Sequence, residues 1–106
     1  MNKRLATLIQ MTSAGTQDPF VWYALALEYR KEGRVEEALA TFTTLRERNP
    51  DYLPMYLMAG QMLLENDRRE AAREWLGAGI ALARRKGDGK TLSELEATLD
   101  EASDEI

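Results

Sequence analysis

Three observations predict an all-α fold of about six helices. Turn-forming residues at Gly15 to Asp18, Gly33, Asn49 to Asp51, Asn66 with Asp67, and Gly87 to Gly89 cut the 106-residue chain into helix-length segments. None of those segments alternates apolar and polar residues as a half-buried strand does. The segments also repeat. Laying residues 19–52 over residues 53–86 pairs Trp22 with Tyr56, Leu25 with Ala59, Ala26 with Gly60, Tyr29 with Leu63, Glu36 with Glu70, Ala38 with Ala72 and Phe42 with Leu76, an offset of 34 that sets large on large and small on small.

The elements follow in order. An N-terminal helix occupies residues 1–15, with Leu5, Leu8, Ile9 and Met11 as its apolar positions. Asp18 before Pro19 starts the second helix, because the carboxylate accepts from free amide groups and proline at the first helical position forfeits no hydrogen bond. Gly33 supplies the left-handed residue that ends this helix near Glu32, and Glu36 and Glu37 put negative charge at the amino end of the third, which runs to about Arg48. Pro50 and Pro54 bracket the entry to a fourth helix ending near Glu65, where Asn66 or Asp67 replaces glycine in the turn. A fifth covers about Arg69 to Lys86. Thr91 with Glu94 reads as a capping box for a closing helix over 91–103, lined by Leu92, Leu95, Leu99 and Ala102. Its acidic residues, Glu94, Glu96, Asp100, Glu101, Asp104 and Glu105, are expected to pair with the basic end of the fifth helix or to fray into solvent.

Trp22-x2-Leu25-Ala26-x2-Tyr29, then Ala38-x3-Phe42, then Pro50, resembles the tetratricopeptide repeat, with Ala26 replacing the usual glycine. The second unit is looser: Tyr56, Gly60, Ala72 and Leu76 fit, while Leu63 stands for an aromatic and Arg84 for proline. The missing proline lets the fifth helix continue to Lys86. The resemblance is to a small two-repeat protein of bacterial type. It implies one domain over residues 1–106: a right-handed stack of helical hairpins, repeat 1 at 19–52 and repeat 2 at 53–86, between N-terminal and C-terminal capping helices. Small residues at Ala26, Ala38, Gly60 and Ala72 then allow close approach within each hairpin, while Trp22, Tyr29 and Phe42 fill the space between hairpins. Gly77 and Gly79 are expected to accommodate the closing helix.

The resemblance further implies a concave groove lined by the first helix of each repeat, where segments of partner proteins lie. The helical period places Phe20, Tyr23, Ala24, Leu27, Arg30 and Lys31 on that face of the first repeat, and Leu57, Met58, Gln61 and Leu64 on that of the second, with Glu65 at its rim. Relatives that grip a free carboxyl terminus carry Lys, Arg and Asn at such positions, where this chain has Tyr23, Leu27, Leu57 and Gln61, so a carboxylate clamp is not expected. An apolar surface with Met58, and Met55 and Met62 on the same helix, suits an amphipathic helix. The same residues also suit core beneath the N-terminal helix and, less well, a homodimer face.

Composition narrows the function. There is no His and no Cys, which excludes a thiol nucleophile, a His base, a disulfide framework and a zinc site of the usual ligands. Neighbouring carboxylates such as Glu36 with Glu37 or Asp100 with Glu101 diverge by about 100° on a helix and do not converge for acid–base work. Gly87-Asp88-Gly89-Lys90 follows a helix rather than a strand and lacks phosphate-loop spacing. No catalytic residue, cofactor or metal is expected. The net charge of −4 argues against a dedicated nucleic-acid binder. Arg84, Arg85, Lys86 and Lys90 cluster at the end of the fifth helix, with Arg68, Arg69 and Arg73 along it, and weak anionic-ligand or nucleic-acid binding through Arg84, Arg85 and Lys86 is the least favoured reading. Neither a signal peptide nor a membrane-length apolar run is read, and a cytoplasmic location is expected. The expectation is therefore a non-catalytic protein-interaction module or adaptor, with a homo-oligomeric assembly subunit as the alternative.

Overall fold

The computed structural model describes residues 2–103, so Asp104 and Glu105 of the acidic terminus lie outside the described residues. Six helices account for it: α1 (Lys3–Ser13), α2 (Pro19–Lys31), α3 (Val35–Arg48), α4 (Pro54–Glu65), α5 (Arg69–Lys86) and α6 (Gly89–Ser103). The described residues contain no strand. They fall into two compact units, dividing between Tyr52 and Leu53.

In the first unit, α2 packs against α1 on one side and α3 on the other. Asn2 caps α1, its Oδ1 accepting from Leu5 N at 3.0 Å, and Asp18 caps α2 by accepting from Phe20 N at 3.0 Å. Gly33 takes a left-handed φ of 75°, and the reversal is closed by Arg34 N donating to the Tyr29 carbonyl at 2.9 Å. Leu5 and Leu8 of α1 meet Val21, Ala24 and Leu25 of α2, with Ile9 and Tyr29 at the margin. Ala24 is thereby part of the α1–α2 core, not of an open inner face: it shares a helix face with Val21, three residues earlier, and α1 covers that side. Ala26, Ala38, Phe42 and Leu45 are fully buried. Trp22 is half-buried and tied at the end of the hairpin where α2 starts and α3 stops. Its Nε1 donates to the Thr16 carbonyl at 3.0 Å, and the Arg48 guanidinium lies 4.6 Å from its ring centre.

Beneath the first unit's surface lies a charged group the periodicity does not flag. Glu28 is only 6% exposed, yet it accepts from Asn2 Nδ2 at 2.8 Å and from Arg4 Nε at 3.1 Å, fastening the start of α1 to the last turn of α2. The Asn2 hydrogen bond first, then the nearby Lys31 and Arg4 charges, hold its carboxyl below the usual range against the opposing effect of desolvation.

In the second unit, α5 packs against α4 and α6, and α6 also reaches α4. Asp67 takes the left-handed turn residue's place with φ 61°, and Gly87 ends α5 with φ 70°. Both glycines at helix crossings have a visible cause. A Cβ on Gly60 would lie 2.6 Å from Leu76 Cγ, and one on Gly79 would lie 2.6 Å from Tyr56 Cβ and 3.0 Å from Leu95 Cδ2. Gly77 differs from the expectation. It is exposed, and a Cβ there would meet nothing within 4 Å, because it sits two residues, some 200° of helix, away from the Gly79 face.

The start of α6 is also corrected. The helix begins at Gly89, and Asp88 is its cap: Oδ1 accepts from Thr91 N at 3.0 Å and Oδ2 from Thr91 Oγ1 at 2.9 Å. Thr91 therefore sits inside the first turn, and its hydroxyl is turned back on Asp88. At the other end, Arg69 Nη1 donates to the Glu101 and Ala102 carbonyls, each at 3.3 Å, and Arg73 Nη2 to the Ala102 carbonyl at 3.0 Å. The arginines of α5 thus satisfy carbonyl groups that a helix leaves without partners at its carboxyl end.

Candidate binding faces

Each unit presents one face that accounts for the sequence-predicted residues. In the first, the Asp18–Pro19 start of α2 puts Phe20 in the opening turn, where it is 58% exposed. Its ring centre is 6.5 Å from that of Tyr23, and Tyr23 is 5.3 Å from Tyr52, so three tilted rings run from α2 onto the segment after α3. Tyr52 is held there by donation from its backbone N to the Asn49 carbonyl at 3.0 Å. Burial, and then the neighbouring Tyr52 phenol, push the Tyr23 pKa up against the lowering effect of Arg30; burial and the Asp18 carboxylate push that of Tyr52 up. Both phenols are therefore neutral hydroxyls at physiological pH, able to donate and accept. Leu27 and Arg30 are half-buried one and two turns further along α2, and Lys31 is exposed. Beside the rings, Pro19 and the Arg48–Tyr52 segment line a shallow recess of about 360 Å³.

In the second unit, Leu57 is 8% exposed, while Met58, Gln61 and Leu64 are half-buried and Glu65 is exposed. Met55 and Met62 do not belong to a methionine surface. Both are fully buried, since they stand seven residues apart on one helical line that faces the core, whereas Met58 is rotated about 40–60° to one side of it and is half-buried. Gln61, Leu64 and Glu65 of α4 form one wall of a cleft of about 350 Å³ whose other wall is Thr98 and Glu101 of α6.

Tyr52, Thr98 and Glu101 are the residues that sequence reasoning did not place on these faces. Tyr52 carried a weak signal, an aromatic between two prolines; the α6 residues carried none. The basic stretch is arranged as a helix end. Arg84 pairs with Glu96 at 3.2 Å, Arg85, Lys86 and Lys90 are exposed, and Arg69 and Arg73 point to the α6 carbonyls as above. Among the described residues, no group of three or more Asp, Glu, His or Cys could hold a metal ion, and no helix is long and apolar enough to cross a membrane.

Helical hairpins repeated at an offset of 34 residues, with small residues at the crossings, define a helical-repeat scaffold. A tetratricopeptide repeat model matches residues 29–95. The crystal structure of a tetratricopeptide repeat domain protein from Salinibacter ruber is 39% identical, spans 82% of this chain and 98% of that one, and superimposes with a TM-score of 0.75. The chain belongs to the tetratricopeptide repeat family. Two more distant structures share the fold. One is the solution structure of a Bordetella parapertussis protein, 23% identical over 97% of this chain and 90% of that one, with a TM-score of 0.82. The other is the TPR2B domain of yeast Sti1 in a complex with pHsp70, 18% identical over 93% of this chain and 79% of that one, with a TM-score of 0.85. No curated protein matches. Tetratricopeptide repeats generally act in protein–protein interaction and generally without catalysis.

Proposed function

We propose that the chain is a non-catalytic adaptor that takes a peptide or helical segment of a protein partner on two faces. One is Phe20, Tyr23, Leu27, Arg30 and Lys31 of the first unit; the other is Met58, Gln61 and Leu64 of the second, with Leu57 beneath them. The observation that carries this reading is Phe20: a large apolar ring more than half exposed, and continued by Tyr23 and Tyr52 into an aromatic surface. Such side chains combine large contact area with little conformational entropy to lose, the properties of residues that dominate binding energy.

Phe20→Glu tests this without harming the helix, because a carboxylate in the first turn suits the helix dipole. Peptides selected from a random library on the unaltered chain are expected to bind the variant about ten-fold more weakly or worse. Unchanged affinity for every selected peptide would remove the α2 face from the site. Leu57 is unsuited to the same test, since its burial would turn a charge there into a folding defect.

A second reading is a homodimer using the same aromatic face, favoured by Met11 and Phe20 both being exposed in the first unit. Light scattering decides it. The dimer reading expects a mass near twice 12.0 kDa, insensitive to salt and returned to monomer by Phe20→Glu; a monomer at all concentrations overturns it.

A further inference from the structure

The outer stripe of α5 carries a charge pattern that the chain itself does not use. Counting round the helix at about 100° per residue, Gly77, Glu70, Ala81 and Arg85 fall within about 80° of arc, and all four are exposed. Glu70 stands 7 residues before Gly77 and Arg85 stands 8 residues after it, about 10.5 and 12 Å along the axis. Neither makes a hydrogen bond or ion pair with any described residue. Their neighbours of like sign are engaged within the chain: Glu74 is not free, and Arg84 is paired with Glu96 at 3.2 Å. The helix dipole favours an acid first and a base last, but it does not account for what lies between them. A solvent-facing stripe ordinarily carries long polar side chains, whereas the centre here is Gly77 and Ala81. Gly77 weakens the helix, and nothing inside the chain requires it, since a Cβ there would meet nothing within 4 Å. A shallow recess of about 500 Å³, walled by Ile80 and by Leu99 of α6, opens beside it.

From this pattern we infer that α5 is a self-association surface: two copies of the chain pack their α5 helices antiparallel, crossing at Gly77 about a two-fold axis, with Glu70 of each copy facing Arg85 of the other. The charges select that arrangement. In an antiparallel pair the two positions meet within about 1.5 Å of the same height, so one contact makes two ion pairs, whereas a parallel pair would set Glu70 on Glu70 and Arg85 on Arg85. The same patch serves both copies, as a two-fold interface requires. Glycine at the crossing lets the backbones approach, and Ala81 and the Ile80–Leu99 recess supply the apolar contact. One helix on one helix is well below the area of a standard stable interface, so the dimer is expected near 100 μM, on the order of a weak encounter, and the chain is a monomer in dilute solution. This surface is separate from the aromatic face of the first unit, and the inference goes beyond the adaptor reading without depending on it.

Sedimentation equilibrium of the full chain from about 10 μM to about 1 mM, at low and at high salt, tests this. The mass is expected to rise with concentration from 12.0 kDa towards twice that value, and to rise less at high salt. E70R and R85E each set like charges opposite one another and should weaken the association about ten-fold or more. Each repels itself but complements the other, so an equimolar mixture of the two should associate as the wild type does, and so should the E70R/R85E double variant. Gly77→Gln fills the crossing and should abolish the dimer. All of these positions are on the surface, and circular dichroism checks that helicity is retained. Phe20→Glu should leave the association unchanged, which separates it from a dimer through the aromatic face. A monomer at every concentration overturns the inference, and so does a dimer that E70R and R85E leave intact or that their mixture does not restore. Peptide capture by the α2 face tests the adaptor reading independently of each of these outcomes.

Discussion

The two units each hold an extra helix against a repeat hairpin, and they hold it by different means. In the first, α1 rests on α2, buries two leucines, and is fastened by the Asn2–Glu28–Arg4 cluster. In the second, α6 rests on both α4 and α5, buries Leu95, Thr98 and Ala102, and has its ends secured by Asp88 on one side and by Arg69 and Arg73 on the other. One attachment is a polar latch over a small apolar contact; the other is a packed three-helix core with satisfied ends. The contrast teaches where each helix is vulnerable. The first should respond to charge, the second to volume.

The largest expected effect follows from volume. Leu95 is fully buried against Gly79 at the three-helix crossing, so Leu95→Ala leaves a cavity that little can collapse into, and should cost about 4 kcal/mol. Leu8→Ala, at the two-helix contact of α1, should cost about 2 kcal/mol, because solvent and α1 itself can adjust. Urea denaturation of the two variants measures the difference. Equal losses would mean that the two terminal helices are packed alike, and the contrast would fall.

The glycines of α5 sharpen the same point with a smaller effect of two signs. Gly79→Ala puts a methyl group against Tyr56 Cβ, an atom fixed to backbone that cannot swing aside, and should destabilise by about 2 kcal/mol. Gly77→Ala meets open space two residues earlier, and should stabilise by about 0.5–1 kcal/mol through helix propensity alone. Thermal unfolding of the pair reads both signs. A loss at Gly77 as well would show that something approaches that surface.

How much of this was legible beforehand depends on sequence distance. Helix ends set by local chemistry were readable: Asp18 with Pro19, Gly33, and Arg69 to Lys86 without a proline to stop it all stand where the residues put them. α6 starts two residues before the predicted position because Asp88 and Thr91 are both capping residue types, and only the observed geometry shows that Asp88 is the cap. The faces were half legible. Helical period placed Phe20, Tyr23 and Gln61, but Tyr52 joins Tyr23 from 29 positions away, and Thr98 joins Gln61 from 37, through tertiary contacts that leave no periodic trace. Glu28 was invisible for the same reason. It sits in a helix like any surface glutamate, and its partners Asn2 and Arg4 lie 26 and 24 residues upstream.

Glu28 also supplies the smallest and most specific way to break the comparison. Its carboxyl is held below the ordinary value of 4.5, first by the Asn2 hydrogen bond. A depressed folded-state pKa contributes stability that is fully present above the unfolded value and is lost as the pH falls through the folded one. Acidification from neutrality to below pH 4.5 should therefore loosen α1, since its fastening depends on that charge. In Glu28→Gln the neutral side chain still offers an oxygen to Asn2 but no charge to Arg4, so α1 should already be looser at neutral pH, and the gap to wild type should close in acid. Asp88 and Glu37, whose carboxyls are likewise depressed by their own partners, titrate in both proteins and cancel in the difference. Amide hydrogen exchange over α1 and α6 reads the two attachments separately. A gap over α1 that stays constant into acid would show that the Glu28 charge is not what fastens that helix, and an equal gap over α6 would show that the substitution acts on the whole chain and not on the latched end.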